Sequence, residues 1–156
     1  MNKSRVAGRG SRTVLLAITL LLGAVSRIHA QAVRRELGVE AYTLRATPDR
    51  IGGAVYAAWR VGPRARVSLL GGMDGGDGGT AGRVEGLIHF LLAPDRKGGV
   101  GIYAAGGLAA DVAGRTEARL VALVGVEQAP GARQGWMLEA GVGGGWRFAA
   151  GWRWRR

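Results

Sequence analysis

From Arg35 onward, apolar residues recur at every second position, which is the most restrictive feature of this chain. Side chains of a strand alternate across the pleat, so a period of two means strands with one apolar face, whereas a helix repeats at 3.6. Pro, Gly and Asp interrupt the pattern at regular intervals, as turns do. The spacing predicts eight strands over 35–46, 53–62, 65–74, 82–93, 99–112, 117–128, 134–143 and 145–155. In the first, Leu37, Val39, Ala41 and Thr43 share a side, with Glu36, Glu40 and Tyr42 opposite. The fourth sets Val84, Ile88, Phe90 and Leu92 against Arg83, Glu85 and His89. The eighth sets Trp146, Phe148, Ala150, Trp152 and Trp154 against Arg147 and Arg153. None of these named apolar-face positions carries a charge. An even number of strands joined by short turns predicts an all-β fold, an eight-stranded antiparallel up-and-down barrel with no open edge. Strands of about ten residues also suit a tilted crossing of a bilayer.

The first thirty residues follow another rule. Lys3, Arg5, Arg9 and Arg12 form a positive front, and Thr13 to Val25 is an apolar run of 13 residues, too short for a spanning helix. Small residues then stand at the spacing of a processing site. This predicts a Sec-type signal peptide over 1–30, cleaved after Ala30 or Ala32, and a mature barrel over 31–156. No twin arginine precedes the apolar run, and with 0 cysteines there is no acylated cysteine, disulfide or thiol metal site.

Removing that segment changes the charge. Of 22 Lys and Arg, five leave with it and 17 remain against 11 acids, so the mature part carries +6 instead of +11. Among the 17 only Lys97 is a lysine. A water-facing surface mixes in lysine freely, whereas confined ion pairs favour the planar fork of arginine.

Alternation by itself does not say which face meets water, because a soluble barrel with inverted faces has the same pattern. Three features favour a lipid-facing exterior. Trp59, Phe90, Trp136, Trp152 and Trp154 fall at strand ends that an up-and-down path brings to one rim, as in an aromatic girdle. The other face carries Glu36, Glu40, Glu85, Glu127 and Glu139 with Arg60, Arg66, Arg119, Arg147 and Arg153, balanced as a lumenal ion-pair network would be. Finally, Arg34, Arg35, Arg64, Arg96, Lys97, Arg133, Arg155 and Arg156 gather on the girdle rim, a basic ring facing the periplasm. Such a ring suits anionic phospholipid headgroups or simple solvated turns equally well.

Over its whole mature length the chain resembles the small eight-stranded outer-membrane barrels of bacteria. Trp146-Arg-Phe-Ala-Ala-Gly-Trp-Arg-Trp154 looks like the closing strand read by the barrel-insertion machinery, although Arg155-Arg156 stand where that family has an aromatic. The resemblance implies an outer-membrane location, with lipids and that machinery as partners.

Chemistry is sparse. His89 and Ser68 project to the charged face with Glu85 nearby, which is the inventory of a nucleophile, base and orienter. An inward direction is wrong for a lipid-modifying site, so a buried histidine is the better expectation. One histidine after the expected signal peptide and scattered carboxylates lack metal-ligand spacing, and Asp74-Gly-Gly-Asp77 reads as a hairpin loop with too few oxygens for calcium. Despite a pI near 11.5, no continuous basic stripe points to nucleic acid. The expectation is a non-enzymatic barrel without cofactor or metal, largely plugged, in a structural or envelope-integrity role. A narrow porin-like conduit and a soluble lipocalin-like binder are the alternatives.

Overall fold

The structure, a computed structural model, describes residues 35–156 except 78 and 114, and of residues 113, 115 and 116 only the backbone. The signal peptide, its cleavage site and Arg34 lie outside the described residues. Among the described residues the chain forms eight strands: β1 (Arg35–Arg45), β2 (Arg50–Arg60), β3 (Ala65–Gly76), β4 (Gly79–Leu91), β5 (Val100–Ala113), β6 (Arg115–Gln128), β7 (Gln134–Val142) and β8 (Trp146–Arg155). Each pairs antiparallel with the next, and β8 returns to β1, closing the barrel in the order of the sequence. The eight-stranded up-and-down reading therefore holds. Closure leaves no strand edge unpaired.

Several boundaries move outward from the predicted ones. β2 begins at Arg50, β3 runs to Gly76 and β4 begins at Gly79, so Gly76 pairs with Gly79 across a hairpin far tighter than predicted. Asp74 is accordingly a strand residue with a buried side chain and not part of a loop. Glycine in the sequence reads there as turn, but it pairs in a ladder as readily as any residue where the backbone is extended.

The direction of the faces is unambiguous. Leu120 is 80% exposed and Ile51 71%, while Arg153 is 0% exposed and Arg83 and Arg147 are 1%. Aliphatic side chains cover the outside and charges fill the inside, so the inverted, lipocalin-like arrangement is not adopted. The interior also holds apolar layers. Tyr42, Leu70 and Met137 belong to one buried cluster, and Leu87, Tyr103 and Leu123 to another.

Three cross-strand pairs organise this interior. Tyr42 faces Gly52, Tyr56 faces Gly38 and Tyr103 faces Gly125. Each ring lies flat over its glycine: a Cβ at Gly38 would stand 2.3 Å from the Tyr56 ring, and one at Gly125 2.3 Å from Tyr103. Glycine opposite an aromatic lets the ring cover bare backbone instead of standing upright in a lumen with no room for it.

Candidate functional site

We call the rim where β1 begins and β8 ends proximal, and the other distal. Charges in the lumen form three tiers between them. Near the proximal rim, Glu36 and Glu127 take three guanidiniums. Arg66 Nη1 lies 3.1 Å from a carboxylate oxygen of each. Arg155 Nε donates to Glu36 at 2.5 Å and its Nη2 lies 3.3 Å from Glu127, while Arg153 donates to Glu127 and, at 2.7 Å, to the Gln128 carbonyl. The Tyr56 hydroxyl donates to Glu36 at 3.2 Å.

In the middle tier Arg147 is surrounded by Glu40, Glu139 at 2.7 Å and Glu85 at 3.7 Å. Tyr103 links it to the first tier, donating to Glu139 at 2.7 Å beneath the Arg66 guanidinium, 5.1 Å from its ring centre. Glu85 also accepts from Arg83 Nε at 2.5 Å, and Arg83 reaches Asp111 at 2.9 Å. Asp111 then meets Arg50 at 3.6 Å and Arg119 at 3.7 Å, and Asp74 takes Arg50 and the Tyr42 hydroxyl. Buried charges are tolerable only when partnered in this manner. One chain of polar contacts crosses the barrel from mouth to mouth.

Of the ten residues expected in the lumen, Glu36, Glu40, Arg66, Glu85, Glu127, Glu139, Arg147 and Arg153 come together there. The other two require correction. Arg60 is the last residue of β2, and from the proximal rim it reaches Asp95 at 2.9 Å and the Pro94 carbonyl at 3.0 Å in the following turn. Arg119 stands at the distal mouth, 39% exposed, paired with Glu117 at 2.7 Å, because β5 and β6 outrun their neighbours. Arg155 is likewise not a rim residue: it shares the inward parity of Arg147 and Arg153, and Glu36 is its register partner on β1. Arg50, Asp74, Arg83 and Asp111 complete the network. Strand parity placed Asp74, Arg83 and Asp111 inward, whereas Arg50 lies just before the predicted start of β2 and gave no such signal.

Trp59, Phe90, Trp152 and Trp154 point outward and are exposed, and Trp136 is partly exposed beside Trp152. Trp146 stands outward at the distal rim, in register with Arg45. On the proximal rim Arg35, Arg64, Arg96, Lys97, Arg133 and Arg156 are all exposed.

His89 stands between a guanidinium and a hydroxyl. Arg66 Nη2, which can only donate, lies 3.2 Å from Nδ1, so Nδ1 is the acceptor and Nε2 carries the hydrogen. Nε2, 2.8 Å from Ser68 Oγ, then donates to the serine instead of taking its proton. A hydrolytic triad needs the reverse. Among the described residues no group of His, Asp and Glu converges as metal ligands do.

These features define the molecule as a closed antiparallel eight-stranded barrel with an apolar exterior and a charged interior. No protein-family model matches the chain, and no curated protein matches its sequence. Solved structures do resemble it. The N-terminal β-barrel domain of OprF from Pseudomonas aeruginosa superposes with a TM-score of 0.56 at 14% identity, over 78% of this chain and 97% of that one. A de novo designed transmembrane β-barrel gives 0.56 at 16% identity, over 78% and 95%. A second de novo design, solved by solution NMR, gives 0.56 at 18% identity, over 81% and 98%. At such identities the likeness is one of fold, and the fold is that of transmembrane barrels.

Proposed function

We propose that this chain is a non-enzymatic outer-membrane β-barrel with an ion-paired, largely closed lumen and a structural role in the cell envelope. The observation that carries the reading is the inversion of ordinary burial: aliphatics outside, arginine–carboxylate pairs inside. In water an apolar belt of this extent would drive association, whereas in lipid it is the required surface. The export-signal reading of residues 1–30 and the likeness to the OprF barrel domain support the outer membrane as its place. The Ser68–His89 hydrogen bond, running against serine activation, supports a role without catalysis. Envelope lipids are the partners this reading requires. Barrel-insertion machinery would read β8, with Trp146, Phe148, Trp152 and Trp154 on its lipid side.

The lumen decides between two roles. Side chains bridge it from rim to rim, which supports a plug. A cavity of about 320 Å³ bordered by Arg50, Arg83, Asp111 and Arg119 opens at the distal mouth, and it favours a narrow conduit for small solutes as the second reading. Purified mature protein in a planar bilayer separates them. We expect no stable conductance steps, and reproducible steps would overturn the closed lumen. The membrane reading itself is tested by heat-modifiable gel migration, with the unheated protein running as a compact band. Extraction into detergent-free buffer would refute it.

A further inference from the structure

The proximal rim carries a pair of opposed charges that has no side-chain carboxylate partner among the described residues. Arg35 and Arg156 exchange both backbone hydrogen bonds, N to O at 3.2 and 2.9 Å, and so stand directly opposite each other where β1 meets β8. Their neighbours Glu36 and Arg155 point inward, so both guanidiniums point out. Like charges directly opposed on one face of a sheet repel. Three other arginines at the rims have acid partners, Asp49 for Arg45, Asp95 for Arg60 and Glu117 for Arg119, and Arg64, Arg96 and Arg133 have none among the described residues but do not face one another across a strand pair as Arg35 and Arg156 do. Among the described residues neither Arg35 nor Arg156 has a carboxylate partner.

The surroundings specify the missing anion. Trp59 is the register partner of Arg35 on its other side. One step of two residues toward the barrel's middle, roughly 7 Å along the strands, Leu37 pairs with Trp154 on the same outward face. A cation pair thus sits beside one exposed indole, Trp59, and one step beyond a second, Trp154, with the aliphatic belt further in. In a bilayer this sequence of depths matches phosphate, glycerol region and acyl chain. Two guanidinium forks can share one phosphate group, each offering paired donors to its oxygens. A free phosphate ion would make no use of the tryptophans.

We infer that Arg35 and Arg156, flanked by Trp59 and Trp154, hold the phosphate of an anionic phospholipid at the β1–β8 seam. The inference rests on the membrane-barrel reading and deepens it by naming a lipid class and a place. Tryptophan quenching tests both separately. Mature protein is inserted into phosphatidylcholine vesicles, and brominated phosphatidylcholine or brominated phosphatidylglycerol is titrated in. The phosphatidylglycerol analogue should quench at the lower mole fraction. Substituting Arg35→Gln and Arg156→Gln should reduce that preference roughly fivefold for each guanidinium lost. Arg35→Lys with Arg156→Lys, which keeps the charge but loses the paired donors of the fork, should retain only part of it.

A control with the same charge change, Arg64→Gln with Lys97→Gln, should leave the preference nearly unchanged. Equal loss in the control would mean that the rim acts only as a diffuse field, and the site would be refuted. Equal quenching by the two lipids in the parent protein would refute the site while sparing the membrane barrel. Quenching by neither would bring down both.

Discussion

Glu127 is the acceptor on which most of the proximal tier converges: Arg66, Arg153 and Arg155 all reach it, and Glu36 is the one other carboxylate among them. Removing its charge leaves three buried guanidiniums to share a single acid. Uncompensated buried charge costs on the order of 3–5 kcal/mol, so Glu127→Gln should lower the unfolding free energy by about that much. Glu117 also pairs with an arginine, at 2.7 Å, but on an open rim. Glu117→Gln should cost less than about 1 kcal/mol. Urea unfolding of both variants in the same micelles checks the difference, and equal costs would mean that the lumenal pairs do not hold the barrel. Parity alone identified Glu127 and its inward neighbours, since every second residue of a closed sheet must face the lumen. What parity could not supply was height along the axis. Arg60 and Arg119 have the right parity but sit where the wall ends, and Arg155, the last residue of the predicted eighth strand, reads as rim from its terminal position although its parity is inward.

Tyrosine-over-glycine pairs set how closely neighbouring strands fill the lumen, and they make glycines of one sheet unequal. At Gly38 an added methyl would run into the Tyr56 ring, whose hydroxyl holds Glu36; at Gly125 it would meet Tyr103, which holds Glu139. Gly38→Ala and Gly125→Ala should each destabilise by about 1–3 kcal/mol, the usual penalty of overpacking. Gly53 faces outward, and a Cβ added there would have as its nearest neighbour the Glu40 carbonyl oxygen at 3.7 Å. Gly53→Ala should be neutral or stabilise by up to about 1 kcal/mol, because it restricts the unfolded chain. A second local test lies in the turn between β6 and β7, where Ala129 holds a φ of 42°. A left-handed alanine costs roughly 1–2 kcal/mol, so Ala129→Gly should raise the unfolding midpoint. These features were only partly legible beforehand. Apolar alternation reveals all eight strands, yet the glycines of the β3–β4 hairpin read as turn, which shortens both strands there, and alternation does not show that Gly38, Gly52 and Gly125 seat aromatic rings.

At the scale of the whole barrel, the question is what solvent the outer face was built for, and one substitution asks it directly. Leu138 lies at the centre of β7, outward and exposed, in a row with Val126 and Ala150. If the exterior met water, replacing it with arginine would put a charge on an already solvated surface, with an effect within about 0.5 kcal/mol. In a bilayer the same guanidinium stands near the midplane, where an arginine costs about 2–4 kcal/mol. Trp59→Arg, at the proximal rim beside Arg35, should cost much less, because near the interface the charge term falls to about 0–1 kcal/mol and only the lost indole contact is added. Reversible unfolding from phospholipid vesicles should therefore rank Leu138→Arg as the more damaging change, and the ranking should vanish in urea titrations of any water-soluble form. A barrel that tolerated arginine equally at both depths would have no lipid-facing belt, since depth dependence is the one property that an apolar surface in water cannot imitate.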